Sequence, residues 1–156
     1  YTPPGTSMVY FKTTDKNTRT PLDLVNDGFG VNQLVYMLAK IHRPEIKTIL
    51  IEEPEVHLHP SIVRKLVRTI ISISQEEEKQ FVIVTHSELF LSSTLTAIVE
   101  NLIKPEDIKF YYTQKEGKQT VFTEQRVNEK GQVEGGLDSF ISAELEDLKV
   151  FLNIKE

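Results

Sequence analysis

The residues best suited to chemistry fall in three short stretches. In the first, Ile49-Leu50-Ile51 leads directly into Glu52 and Glu53, followed by Pro54 and Glu55. Such an apolar run predicts a buried strand that delivers two carboxylates to the carboxyl edge of a parallel sheet, where ligands bind in open α/β folds. Successive strand residues point to opposite faces, so the two acids are set for different tasks. In a nucleotide site one holds Mg²⁺ through its water shell, and the other orients the attacking water or takes its proton. A lone Glu-Glu pair is more simply read as acidic residues closing a strand in a loop.

The second stretch, Thr85-His86-Ser87, directly follows the apolar run Phe81-Val82-Ile83-Val84. A single His at a strand end is more often structural than catalytic. Here the loops after both strands open on the same edge of a βαβ unit, which brings His86 near Glu52 and Glu53. An imidazole at that place can hydrogen-bond a γ-phosphate and sense its loss. The third stretch is Asn26-Asp27-Gly28-Phe29-Gly30-Val31, at a predicted helix start. Free N–H groups and the helix dipole attract phosphate there, and glycines permit a close approach. Glycines before helices are common, so this stretch is weak evidence alone.

The elements that must carry these residues are legible from periodicity. Residues 8–13 have short strand character. Val31, Leu34, Val35, Leu38 and Ile41 recur at helical spacing, with N-cap chemistry supplied by Asn26-Asp27-Gly28. A strand is predicted over 47–51 and a helix from Pro60, with Ile62, Val63, Leu66, Val67, Ile70 and Ile71 on one face. Residues 76–79 read as a solvated connection to a second buried strand over 81–84. The order strand–helix–strand makes these two strands parallel and adjacent. A helix over 88–103 follows, then two strands at 108–112 and 120–125 around Glu116-Gly117-Lys118. A joint at Gly135-Gly136 precedes an amphipathic segment carrying Phe140, Ile141, Leu145, Leu148 and Leu152. The predicted class is α/β, a single domain over 1–156 with its motifs in 24–104 and a C-terminal hairpin and helix in 105–156.

Length and composition fit that reading. With 156 residues, 39% hydrophobic and 26% charged, the chain can bury a real core. Acidic residues exceed basic ones by 23 − 18 = 5, so overall charge gives no support to nucleic-acid binding. No run approaches the roughly 20 apolar residues needed to span a bilayer. Cysteine is absent, which removes disulfides and thiolate metal sites and suits a cytoplasmic protein. The opening Tyr1-Thr2-Pro3-Pro4 lacks an initiator methionine and reads as the start of a piece of a longer protein.

Taken in order, Gly28-Phe29-Gly30-Val31, the segment Glu-Glu-Pro-Glu-Val-His-Leu-His-Pro at 52–60, and Thr85-His86-Ser87 resemble the ABC-type ATPases of the RecF, SMC and OLD grouping, AAA-like branch. The likeness is strong over 24–89 and weaker through 137. It implies a P-loop NTPase-like lobe that binds ATP and Mg²⁺ in a sandwich between two copies of the chain. By the same resemblance Glu52 takes the Walker B position near Mg²⁺, Glu53 the general-base position and His86 the switch position. Asn26, Gly28 and Gly30 lie in the signature loop that completes the opposing subunit's site, and Glu55, His57 and His59 lie in the D-loop at the dimer seam. Two departures stand out: Asn26 replaces the usual serine, and Glu52 is one methylene longer than the common Asp. No Gly-x-x-x-x-Gly-Lys-Ser/Thr occurs, so the P-loop is expected upstream in the parent protein, and the fragment alone is expected to be inactive.

Other readings compete. Glu55, His57 and His59 are metal-ligand types, but this loop does not guarantee three converging ligands. Arg64, Lys65 and Arg68 could meet nucleic-acid phosphates, and Tyr111-Tyr112 could stack on bases; a solvated helix face and sheet packing explain them as well. A nuclease of the OLD kind is disfavoured, because no Glu followed by Asp-x-Asp appears after His86. The alternative function from a different class is a non-catalytic dimerisation or assembly module. DNA, RNA or an effector protein remains open as a further partner.

Overall fold

The structure is a computed structural model that describes residues 11–26 and 28–134. The expected strand at 8–13 falls partly outside these, and Asp27, the Gly135-Gly136 joint and the C-terminal amphipathic segment lie wholly outside them.

A parallel pair of strands, β3 (Thr48–Glu52) and β4 (Gln80–Val84), organises the lobe, with Ile49 beside Phe81 and Ile51 beside Ile83. Helix α2 (Pro60–Glu76) connects them, completing the expected βαβ unit. Pro60 opens α2 at N1, where its missing N–H removes nothing the helix needs. The spacing of Val63, Leu66, Val67, Ile70 and Ile71 places one apolar stripe in the core. Each such side chain contributes roughly 1.5–3 kcal/mol on full burial. That stripe packs with Phe90, Leu95, Ala97 and Ile98 of helix α3 (Glu88–Val99), and Phe81 and Ile83 of the sheet join the cluster.

The sheet departs from expectation in one respect. Both strands were predicted to be buried on two faces, yet Leu50 is 76% exposed and Val84 54%. Strand alternation explains this: the helices α2 and α3 join one face of the pair, and the residues of the other face are uncovered among the described residues.

Element ends differ from the predicted ones for local reasons. Helix α1 spans Phe29–Ile41 and is capped by the backbone of Gly28, with no side-chain cap from the preceding asparagine. Asn26 instead closes a 3₁₀ turn, Leu24–Asn26. Helix α3 stops at Val99, short of residue 103, because Asn101 takes the left-handed conformation that ends helices. Lys79 is not solvated: it is buried, and its ammonium donates to the Ile41 and Arg43 carbonyls and pairs with Glu77. Upstream, β1 (Lys12–Thr14) and β2 (Pro21–Asp23) form an antiparallel ribbon. Downstream, β5 (Phe110–Glu116) and β6 (Gln119–Gln125) form a longer hairpin than predicted, turning at Gly117, whose φ of +61° favours glycine.

Candidate functional site

The carboxyl ends of β3 and β4 carry the acidic and histidine motifs side by side. Glu52 ends β3 and is exposed, paired in register with Val84. At Glu53 the backbone N–H still bonds the Val84 carbonyl at 2.8 Å, and the chain then turns sharply, with φ at +44°. This conformation is unfavourable for a residue with a side chain, and Pro54 next in line disfavours it further. The turn aims the half-buried Glu53 side chain across to the next loop. There the His86 ring stands 3.7 Å from one carboxylate oxygen, and the His86 N–H reaches the other at 3.4 Å. The imidazole is 91% exposed, open to a ligand.

Behind this pair lies Glu55, only 9% exposed. One of its oxygens accepts a hydrogen bond from the Thr85 hydroxyl; the other is buried without a partner among the described residues. Burial pushes its carboxyl up from the ordinary glutamate range, and the neighbouring Glu53 carboxylate pushes the same way against the Thr85 bond. A proton on Glu55 would let the orphaned oxygen donate to Glu53, which resolves the burial problem physically. The Glu55 side chain is thus buried within this lobe.

The rest of the segment is held locally. His57 has φ at +63°, and its ring meets Phe29 edge-on at 4.8 Å. His59 caps α2, its Nδ1 accepting the Ser61 N–H at 3.2 Å with the Ser61 hydroxyl at 2.9 Å. Among the described residues no group of three or more metal-ligating side chains converges, so the alternative of Glu55, His57 and His59 as a metal site has no geometric support. Magnesium asks less of the protein, since it keeps several waters and takes phosphate oxygens with one or two carboxylates. An exposed Glu52 at the strand end suits that donor set.

The glycines of the third stretch differ in kind. A Cβ on Gly30 would stand 2.3 Å from the His57 carbonyl oxygen, so glycine there lets α1 press against the 54–59 loop. A Cβ on Gly28 would meet nothing within 4 Å among the described residues, and its φ of −54° and ψ of 149° suit any residue. Sequence reasoning assigned both to phosphate approach and missed the packing role of Gly30, which no local pattern announces. It also missed the Glu55–Thr85 contact and Lys79. The Thr-x-Ser spacing was a usable signal, because the Ser87 N–H bonds the Thr85 hydroxyl at 2.9 Å, a common local turn.

A βαβ unit with carboxylates and a histidine on one open edge makes this an α/β lobe. The chain belongs to the AAA ATPase domain family, whose model matches residues 5–91. Its fold is similar to a solved structure from work on the ATP-driven dimerization and DNA-stimulated activation of SMC ATPases, with a TM-score of 0.51 at 12% identity. That likeness covers 83% of this chain and 66% of the SMC chain, so the chain spans somewhat less than two thirds of its neighbour's length. No curated protein matches the sequence. No helix among the described residues is long and apolar enough to cross a membrane.

Proposed function

We propose that the protein binds and hydrolyses ATP in an ABC-type sandwich between two copies of the chain, with this lobe supplying the hydrolytic edge. The observation that carries the proposal is the juxtaposition of Glu53 and His86, brought to 3.7 Å from different strands. Glu53 orients the attacking water and accepts its proton, since its carboxylate sits at the open edge beside a hydrogen-bonding partner. His86 contacts the γ-phosphate and loses that contact on hydrolysis. Glu52 holds Mg²⁺ through water; the ion, when bound, neutralises phosphate charge. Asn26, Gly28 and Gly30 approach the nucleotide of the opposing subunit, and a phosphate-binding loop outside this sequence completes each site. For the seam itself, His57 and the backbone of the 55–59 loop are better placed than the buried Glu55 side chain.

The alternative is a non-catalytic dimerisation or assembly module. Steady-state ATP hydrolysis by the intact protein with Mg²⁺, wild type beside Glu53→Gln across protein concentrations, separates the two. Hydrolysis that rises faster than linearly with concentration and collapses in the variant is the expected result. Equal rates in both proteins would remove Glu53 as the base. Nucleotide binding without turnover in either would favour the assembly module.

A further inference from the structure

The His86 side chain is almost fully exposed, so packing does not hold its ring in place. Its position must come from the loop on either side. Ser87, after it, caps α3 by accepting the Phe90 N–H at 3.2 Å. Thr85, before it, uses its hydroxyl twice: the oxygen accepts the Ser87 N–H, so the single proton is free for the Glu55 carboxylate. The chain Ser87–Thr85–Glu55 thus spans from the β4 loop to the β3 loop and flanks His86. Glu55 in turn is fixed from its own side. Pro54 before it is fully buried, and the Glu55 carbonyl accepts the Leu58 N–H at 2.9 Å. The Glu55 carboxyl is buried, and among the described residues its second oxygen finds no partner unless the group is protonated.

We infer that Glu55, acting through the Thr85 hydroxyl, is a positioning residue that sets His86 against Glu53. This inference rests on the reading of Glu53 and His86 as the hydrolytic pair. It assigns to Glu55 a role within one lobe, distinct from contact across a dimer seam. The Thr85–Ser87 turn and the Glu55 carboxylate work as one unit, so removing either has the same effect as removing both.

The test uses the intact protein and the variants Thr85→Val, Thr85→Ser, Glu55→Leu and Thr85→Val/Glu55→Leu. Two readouts are taken: kcat and KM for Mg·ATP, and native-state exchange of the Ser87 amide proton. Thr85→Val is expected to lower kcat by about 100-fold with KM within about twofold, the loss typical of a misplaced reacting group. Thr85→Ser, which keeps the hydroxyl, restores the rate. The double variant falls no further than either single one, and Ser87 exchange quickens by about fivefold or more in Thr85→Val and in Glu55→Leu alike. Should one of these fail to fold, the other carries the same exchange test. Unchanged Ser87 exchange in Glu55→Leu, multiplicative losses in the double variant, or a Thr85→Ser rate as low as that of Thr85→Val would each overturn the inference. Glu53→Gln is measured alongside: full activity there overturns the hydrolytic reading, while Ser87 exchange still decides the tie.

Discussion

Replacing Gly30 with alanine tests how tightly the start of α1 is bound to the acidic loop. In a helix, alanine is the better residue by up to about 1 kcal/mol, so propensity alone predicts stabilisation. The structure predicts the opposite. The new Cβ would lie 2.3 Å from the His57 carbonyl oxygen and 3.2 Å from a Leu58 methyl, and reaching an ordinary contact of 3.4 Å requires 3.4 − 2.3 = 1.1 Å of movement. The obstacle is backbone, held by the Leu58 N–H to Glu55 carbonyl bond and the Val56 N–H to Glu53 carbonyl bond at 3.2 Å, so it cannot simply rotate away. Overpacking of this kind costs about 1–3 kcal/mol, and because the obstacle is backbone the upper part of that range applies, which leaves a net loss of about 2 kcal/mol after the propensity gain. Because Glu53 and Glu55 anchor the same loop, displacement should reach the site and lower ATP hydrolysis as well. Urea denaturation of Gly30→Ala beside Gly28→Ala makes the comparison. Gly28→Ala should leave stability within about 0.5 kcal/mol, because nothing stands near its Cβ and its backbone suits alanine. A fall in ATP hydrolysis by Gly28→Ala at unchanged stability would support its approach to the opposing nucleotide. A Gly30→Ala protein as stable as wild type, with an unchanged rate, would refute the packing argument.

Three further outcomes follow from individual contacts. Glu55 binds a proton more tightly folded than unfolded, so its contribution to stability is fully present in acid and is lost as pH rises from the ordinary value of 4.5 through the raised folded one; Glu55→Gln should therefore flatten the decline of Tm with rising pH across that window, and an unchanged slope would contradict a raised carboxyl. Lys79→Ala strips the Ile41 and Arg43 carbonyls of their buried donor and should destabilise by about 2 kcal/mol in chemical denaturation, whereas a loss below about 0.5 kcal/mol would return Lys79 to the solvent. His59→Ala should cost about 1 kcal/mol by uncapping α2 and His59→Ser should recover it, so a dimerisation defect in the stable serine variant would mark a second, intersubunit role.

Much of this lobe was readable from residue order. The apolar runs at 49–51 and 81–84, Pro60 and the stripe on α2 determine the βαβ unit, because strand and helix periodicity and the handed crossover leave little choice once the core must be buried. The unit's geometry then places Glu53 and His86 on one edge, which is why two residues 33 apart could be paired before any coordinates. Helix ends were less accessible, since Asn101 stops α3 by a single left-handed residue that periodicity does not register. Charge misled at Lys79: a basic residue in an acidic run reads as solvated, and only the fold brings the carbonyls of Ile41 and Arg43 to its ammonium.

The roles of residues within the acidic segment belong to tertiary structure. The sequence sets Glu53 apart at the strand end, but Glu55, His57 and His59 look equivalent as polar residues of one loop. The left-handed turn at Glu53 sends its carboxylate to His86, burial commits Glu55 to Thr85, Phe29 meets His57, and His59 spends its ring nitrogen on a helix cap. Covalent order sets which residue types reach the sheet edge, and His59 acts on Ser61 two residues on, while the tasks of Glu53, Glu55 and His57 depend on contacts 28 to 33 residues away, whose energies no local pattern encodes.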